Sequence, residues 1–168
     1  MKKVGIFVQA LYNEVEMWVP YYRLLEEGHQ VVIIASGKEK TFTSKVGLPV
    51  TAHKLSYECL DEDFDAILIP GGYAPDKMRR DHATLEIIRK TFHSGKLVAA
   101  ICHAGWVLIS AKAISGRRFT CFPSIREDME NAGGLYENEE VVVDGNLITS
   151  RMPQDLPAFC REIVKALR

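Results

Sequence analysis

Short apolar β-rich runs alternating with helical patterns place this chain in the α/β class, with a mostly parallel sheet. Several of those runs, Ala66–Ile69 and Leu97–Ile101 among them, are apolar throughout rather than alternating. That is the pattern of central strands covered by helices on both faces. At 168 residues, 47% hydrophobic and 26% charged, the chain has the size and core material of one ordinary globular domain. No internal repeat, linker or low-complexity stretch divides it, so residues 1–168 read as a single domain.

The first strand is expected at Val4–Val8 and the second at Gln30–Ala35. Between them Val15, Val19, Tyr22 and Leu25 form an i, i+4, i+7, i+10 stripe, the apolar face of a helix closed by Gly28. Pro20 falls inside that pattern and is expected to bend it or mark a boundary. Thr41–Ala52 reads as a small inserted hairpin. Strand Ala66–Ile69 follows, then a helix over Thr84–Ser94 with Leu85, Ile88 and Phe92 on one face and Gly95 as its stop. After strand Leu97–Ile101 comes a helix that turns Val107, Leu108 and Ala111 inward. Ser124 and Glu127 have the spacing of a capping box for a helix ending near Gly133. Asp144-Gly145 signals a hairpin turn between Val141–Val143 and Leu147–Ser150. Asp155, with Pro157 in the first turn, opens a C-terminal helix bearing Leu156, Phe159, Ile163 and Leu167.

Charge and cysteine usage narrow the function classes. Lys plus Arg is 21 against 22 for Asp plus Glu, so no electrostatic surplus points to nucleic acid or an anionic membrane. No apolar run approaches the roughly 20 residues that a bilayer requires. The start Met1-Lys2-Lys3 resembles that of a signal peptide, but Gln9, Glu14 and Glu16 interrupt the apolar region too early, and a cytoplasmic protein is expected. Cys59, Cys102, Cys121 and Cys160 show no metal-knuckle spacing, so thiols in a reducing compartment are expected, with no metal site.

Two strand ends carry the candidate chemistry, because ligands of open α/β sheets bind at the carboxyl edge. Ala66–Ile69 runs into Pro70-Gly71-Gly72, where a glycine pair permits a tight turn with exposed amides. Leu97–Ile101 runs directly into Cys102-His103-Ala104-Gly105 and a helix, a junction built like a nucleophile elbow. A helix N-terminus there favours a thiolate and lowers the thiol pKa. Position alone does not separate this reading from a small buried hydrophobe. Of His29, His53, His82, His93 and His103, none follows the cysteine by more than one residue, so a triad with a late histidine is ruled out within one chain. His103 is left as the candidate partner. Glu14 and Glu16 fall at the same sheet edge, either as acidic residues at a helix start or as a proton donor whose pKa is raised beside the sulfur. Trp18 and Trp106 flank these positions and either wall the pocket, line a subunit contact or lie in the core. Cys59, Cys121 and Cys160 read as structural.

Together these residues resemble the ThiJ/PfpI superfamily, specifically its PfpI-type intracellular protease/deglycase branch, over nearly the full length. The resemblance is carried by Val15-Glu16 with Pro20, Leu24-Leu25-Glu26-Glu27-Gly28-His29, Phe64-Asp65-Ala66 leading to Pro70-Gly71-Gly72, and Ala100-Ile101-Cys102-His103. It continues through Asp128-Met129-Glu130-Asn131-Ala132-Gly133 and Val143-Asp144-Gly145-Asn146 to Ser150-Arg151. It implies a flavodoxin-like three-layer sandwich like the class I glutamine amidotransferase domain. Cys102 would be the nucleophile, Glu16 its hydrogen-bonded carboxyl, and the amides of Gly72 and His103 the oxyanion hole. Gly71, Trp106 and Phe122 would line the pocket. Asp76 stands where the branch places a carboxylate that reaches the histidine of a neighbouring subunit, one methylene shorter than the usual glutamate. Asn13, Phe122 and the run Ala104-Gly105-Trp106 depart from the family pattern.

The activity implied is cofactor-independent: a cysteine enzyme acting on reactive carbonyls, as a protein deglycase or glyoxalase III-like hydrolase of methylglyoxal or its adducts. An oligomer-dependent cysteine peptidase and a redox-sensing stress protein or chaperone are the alternatives. Expected partners are a small carbonyl substrate or glycated protein and further copies of the chain, as a homodimer or dimer-based hexamer.

Overall fold

The structure, a computed structural model, describes residues 1–168. Its strands are β1 (Lys3–Val8), β2 (Gln30–Ala35), β3 (Thr41–Thr43), β4 (Pro49–Thr51), β5 (Lys54–Leu55), β6 (Ala66–Ile69), β7 (Leu97–Ile101), β8 (Arg118–Phe119), β9 (Leu135–Tyr136), β10 (Val141–Asp144) and β11 (Leu147–Ser150). Its helices are α1 (Glu14–Glu26), α2 (Ala74–Met78), α3 (His82–His93), α4 (Gly105–Ser110), α5 (Arg126–Asn131) and α6 (Leu156–Leu167).

Seven strands form the main sheet in the order β10-β11-β7-β6-β1-β2-β5. Every pairing in it is parallel except β10 with β11, whose turn at Asp144-Gly145 places Gly145 at φ 58°. The central strands are buried along their length, Ala66–Ile69 and Leu97–Ile101 completely, as the unbroken apolar runs require. From β1 the chain crosses to β2 on one side, whereas from β6 it crosses to β7 on the other. Right-handed crossovers therefore put α1 and α3 on opposite faces. α6 packs beside α1, and α4 packs against α2 and β7. The result is a three-layer α/β sandwich of the flavodoxin-like kind.

Five expected strands, both hairpins and the inward set Val107, Leu108 and Ala111 are present. Leu156, Phe159, Ile163 and Leu167 of α6 are buried as expected. The face of α1 is not. Its buried residues are Glu16, Met17, Pro20 and Leu24, while Val15, Val19, Tyr22 and Leu25 are exposed. Both faces carry apolar side chains, so periodicity alone chose the wrong one. Pro20 does not divide α1, which is continuous from Glu14 to Glu26. In α3 the fully packed positions are Thr84, Ile87, Ile88 and Thr91, with Leu85 and Phe92 only partly buried. Its cap is Asp81, which accepts from the Thr84 N–H at 3.0 Å.

Two expected caps serve other purposes. Asp155 turns its carboxylate back onto Arg151, accepting from its backbone N–H and from its guanidinium. Ser124 makes no capping box, and α5 starts uncapped at Arg126 after a turn of 3₁₀-helix over Pro123–Ile125.

Candidate active site

The strand order reverses between β1 and β6, and the chain segments leaving β1, β6 and β7 meet there. The segment after β1 enters α1 through Asn13, whose side chain accepts from the Glu16 N–H and caps the helix. This cap fixes Glu16 in the first turn, on the face that packs down on the sheet. From β6 the chain passes through Gly71 and Gly72. Asn13 N–H donates to the Gly71 carbonyl at 3.1 Å, and Tyr73 N–H to the Leu11 carbonyl at 3.0 Å, so the two loops are stitched together. Gly72 sits at φ 84°, with no room for a Cβ against the Leu11–Asn13 backbone.

From β7 the chain enters Cys102 at φ 63°, a left-handed conformation strained for a residue with a side chain. The sharp turn expected of a nucleophile elbow is thus present, followed by a 3₁₀ turn over Cys102–Ala104 and then α4. The Gly72 and His103 backbone N–H groups both point to the Cys102 sulfur. Glu16 lies on its other side. Gly71 N–H donates to Glu16 Oε2 at 2.7 Å, and the carboxyl also reaches the thiol. Glu16 Oε1 is buried with no hydrogen-bond partner.

The electrostatics differ from the expectation. Burial first, and the Glu16 charge second, push the Cys102 thiol up to about 12, although the His103 and Gly72 N–H groups pull the other way. Cys102 is only 8% exposed and α4 is short, so desolvation outweighs the helix dipole that was expected to lower this pKa. Burial likewise pushes Glu16 up to about 7, opposed by the Gly71 N–H, the thiol and the Lys45 charge. The pair thus holds a single negative charge between them.

His103 occupies the third side. Its Nδ1 lies 3.3 Å from Cys102 Sγ, and its Nε2 lies 3.1 Å from Ser124 Oγ. The ring stacks on Phe122 with centroids 4.8 Å apart and meets the Trp106 edge at 5.4 Å. Burial, then the Lys45 charge, lowers the His103 pKa, so the ring is neutral. Trp106 is in turn anchored by its indole N–H to Asp128 at 2.8 Å.

Of the residues singled out in the sequence, Cys102, His103, Glu16, Gly71, Gly72, Trp106 and Phe122 are thereby gathered at one place. Asp76 is apart from them, exposed in the first turn of α2 with its side chain bonded to none of them. His29 and His53 serve the fold, accepting from the Lys2 and Ile33 N–H groups. Two contributors escaped the sequence. Lys45 is delivered by the β3–β4 hairpin, which folds over the β1 loop as Lys45 N–H donates to the Tyr12 carbonyl. Ser124 was masked because its spacing to Glu127 satisfies a cap pattern. An open apolar groove lies elsewhere, along the outer face of α1 between Val15, Trp18, Val19, Tyr22 and Leu48.

Comparison with known proteins shows the family. The DJ-1/PfpI family model matches residues 2–166. The chain belongs to the DJ-1/PfpI family. It is 46% identical to the deglycase PfpI of Pyrococcus furiosus over 94% of each chain. It is 40% identical to protein/nucleic acid deglycase 2 of Escherichia coli over 99% of this chain and 98% of that one. Among solved structures, it superposes with a TM-score of 0.95 and 41% identity on a two-domain protein from Anabaena variabilis, covering 99% of this chain and half of that one. That protein contains DJ-1/ThiJ/PfpI-like and ferritin-like domains. No helix of this DJ-1/PfpI chain is long and apolar enough to cross a membrane.

Proposed function

We propose that the chain is a cofactor-independent, cysteine-dependent deglycase that hydrolyses α-oxoaldehydes such as methylglyoxal and their early adducts on protein amines and thiols. The observation that carries this reading is the buried Cys102–Glu16 pair, in which one carboxyl oxygen lacks a partner. The deglycase names of the relatives support it.

In this reading the thiol proton passes to Glu16 as sulfur attacks the aldehyde carbon. A C–S bond forms, and the carbonyl electron pair moves to oxygen, which the Gly72 and His103 N–H groups hold. One such donor is worth about 10²–10³ in rate. Glu16 returns that proton to the oxygen, giving a hemithioacetal. The freed carboxylate then takes the C–H proton and delivers it to the adjacent carbon by way of the enediol, so the aldehyde carbon is oxidised and the keto carbon reduced within one molecule. Water cleaves the resulting thioester, releasing a hydroxy acid (lactate from methylglyoxal) and restoring the thiol. No external oxidant or metal is drawn upon. The four free cysteines fit a reducing compartment, and the cytoplasm is the proposed location.

The exposed stripe Val15, Val19, Tyr22 and Leu25 supports a homodimer, with a dimer-based hexamer as its extension. Asp76, exposed on α2, is the observation behind a second reading, in which it crosses to the His103 of a neighbouring chain in an oligomer-dependent peptidase. Cys102→Ala tests the first reading. Lactate production from methylglyoxal is expected to disappear, and undiminished production by the variant rules out the cysteine mechanism.

A further inference from the structure

Ser124 stands in a 3₁₀ turn immediately before α5, at the surface, where its spacing to Glu127 suits a cap. The hydroxyl is used otherwise. Its one side-chain contact is His103 Nε2 at 3.1 Å, and α5 is left without a side-chain cap. His103 Nδ1 faces Cys102 Sγ at 3.3 Å. Phe122 is stacked on one face of the ring, and the Trp106 edge fixes its tilt. Stacking fixes the plane of the ring but not which of two orientations, related by a half-turn about Cβ–Cγ, it adopts, and a bond at Nε2 selects the one that turns Nδ1 to the sulfur.

We propose that Ser124 is the positioning residue for His103, its hydroxyl pinning Nε2 and so aiming Nδ1 at the Cys102 sulfur within one chain. This rests on the reading of Cys102 as the nucleophile. A hydroxyl at this place differs chemically from a carboxylate. It both donates and accepts, so it serves either neutral tautomer, and it adds no negative charge to stabilise an imidazolium. The other charged groups around the ring do not supply one either. Lys45 opposes the imidazolium, Arg79 lies over Trp106 and bonds Ser110, and Asp128 is occupied by the Trp106 indole. Glu16 stands beyond the sulfur. His103 therefore acts as a neutral hydrogen-bonding partner of the sulfur, while Glu16 carries the proton.

The test uses the full chain with Ser124→Ala, Ser124→Thr and Ser124→Asp. Two readouts are followed: the pH profile of Cys102 alkylation by iodoacetamide, and the His103 ring ¹⁵N shifts by NMR. Ser124→Ala is expected to slow alkylation about three- to tenfold, the scale of one neutral hydrogen bond, and to broaden or move the ¹⁵N signals. Ser124→Thr, which keeps the hydroxyl, is expected to restore both. Ser124→Asp is expected to raise the His103 pKa and move the alkylation profile with it. Unchanged alkylation and ring signals in Ser124→Ala overturn the proposal, as does a Ser124→Thr variant that behaves like Ala. Alkylation requires no turnover of a carbonyl substrate, so this outcome is separate from the fate of the deglycase reading.

Discussion

Glu16 shows most clearly how burial becomes chemistry in this chain. It is 2% exposed, and its folded pKa of about 7 stands above the ordinary glutamate value of 4.5. A carboxyl raised in the folded state is neutral in both states at acid pH, so it imposes no penalty there. As pH rises through the unfolded value towards 7, the unfolded chain ionises first and stability falls. The cost above pH 7 is on the order of 3 kcal/mol. Glu16→Gln is therefore expected to gain stability at pH 8 and little at pH 4, measured by denaturant unfolding at both pH values. The same variant is expected to lose carbonyl turnover, because an amide cannot shuttle the proton. Stability and activity thus oppose one another at this position. Had Glu16 been placed for stability alone, the variant would be weaker at both pH values.

At the scale of elements, the site depends on three loops brought within van der Waals distance, and glycine makes that possible. A Cβ on Gly71 would lie 2.5 Å from Glu16 Oε2 and 2.8 Å from Cys102 Cβ. Gly71→Ala is expected to displace the carboxyl from the sulfur and to reduce turnover about a hundredfold, since small misplacements at a reacting centre have effects of that size. The check is kcat for methylglyoxal alongside a thermal melt, and normal turnover in a folded variant would contradict the close approach. Pro20 belongs to the same picture. It cannot donate to the Glu16 carbonyl four residues earlier, yet α1 runs through it, because the helix is held by packing on Met17, Pro20 and Leu24.

For the whole molecule, the question is what covers the outside of α1. Val15, Val19, Tyr22 and Leu25, between 39% and 62% exposed, form one apolar stripe with Trp18 and Leu48 at its side. An ordinary monomer leaves few contiguous patches of this kind. Val19→Glu is expected to shift the proposed homodimer towards monomer in light scattering, with folding stability changed by no more than about 0.5 kcal/mol. Identical molar masses for the two chains would show that this face is not the subunit contact.

The fold class, the five main strands and the strand–cysteine–helix junction were legible in the residues, because apolar runs and glycine turns are local signals. Cys102, His103 and Glu16 were legible as a group through local spacing and family resemblance. Which face of α1 is buried was not. That helix has two apolar faces, and only the β1–α1 connection, pinned by the Asn13 cap, decides between them. Nor was the sign of the Cys102 pKa shift legible, since desolvation depends on what packs around the sulfur rather than on its neighbours in the chain. Ser124 reads locally as a cap and becomes a partner of His103 because a residue 21 positions earlier turns its ring towards it. Distances of that kind are set by the packing of α4 and α5 on the sheet, to which local sequence has no access.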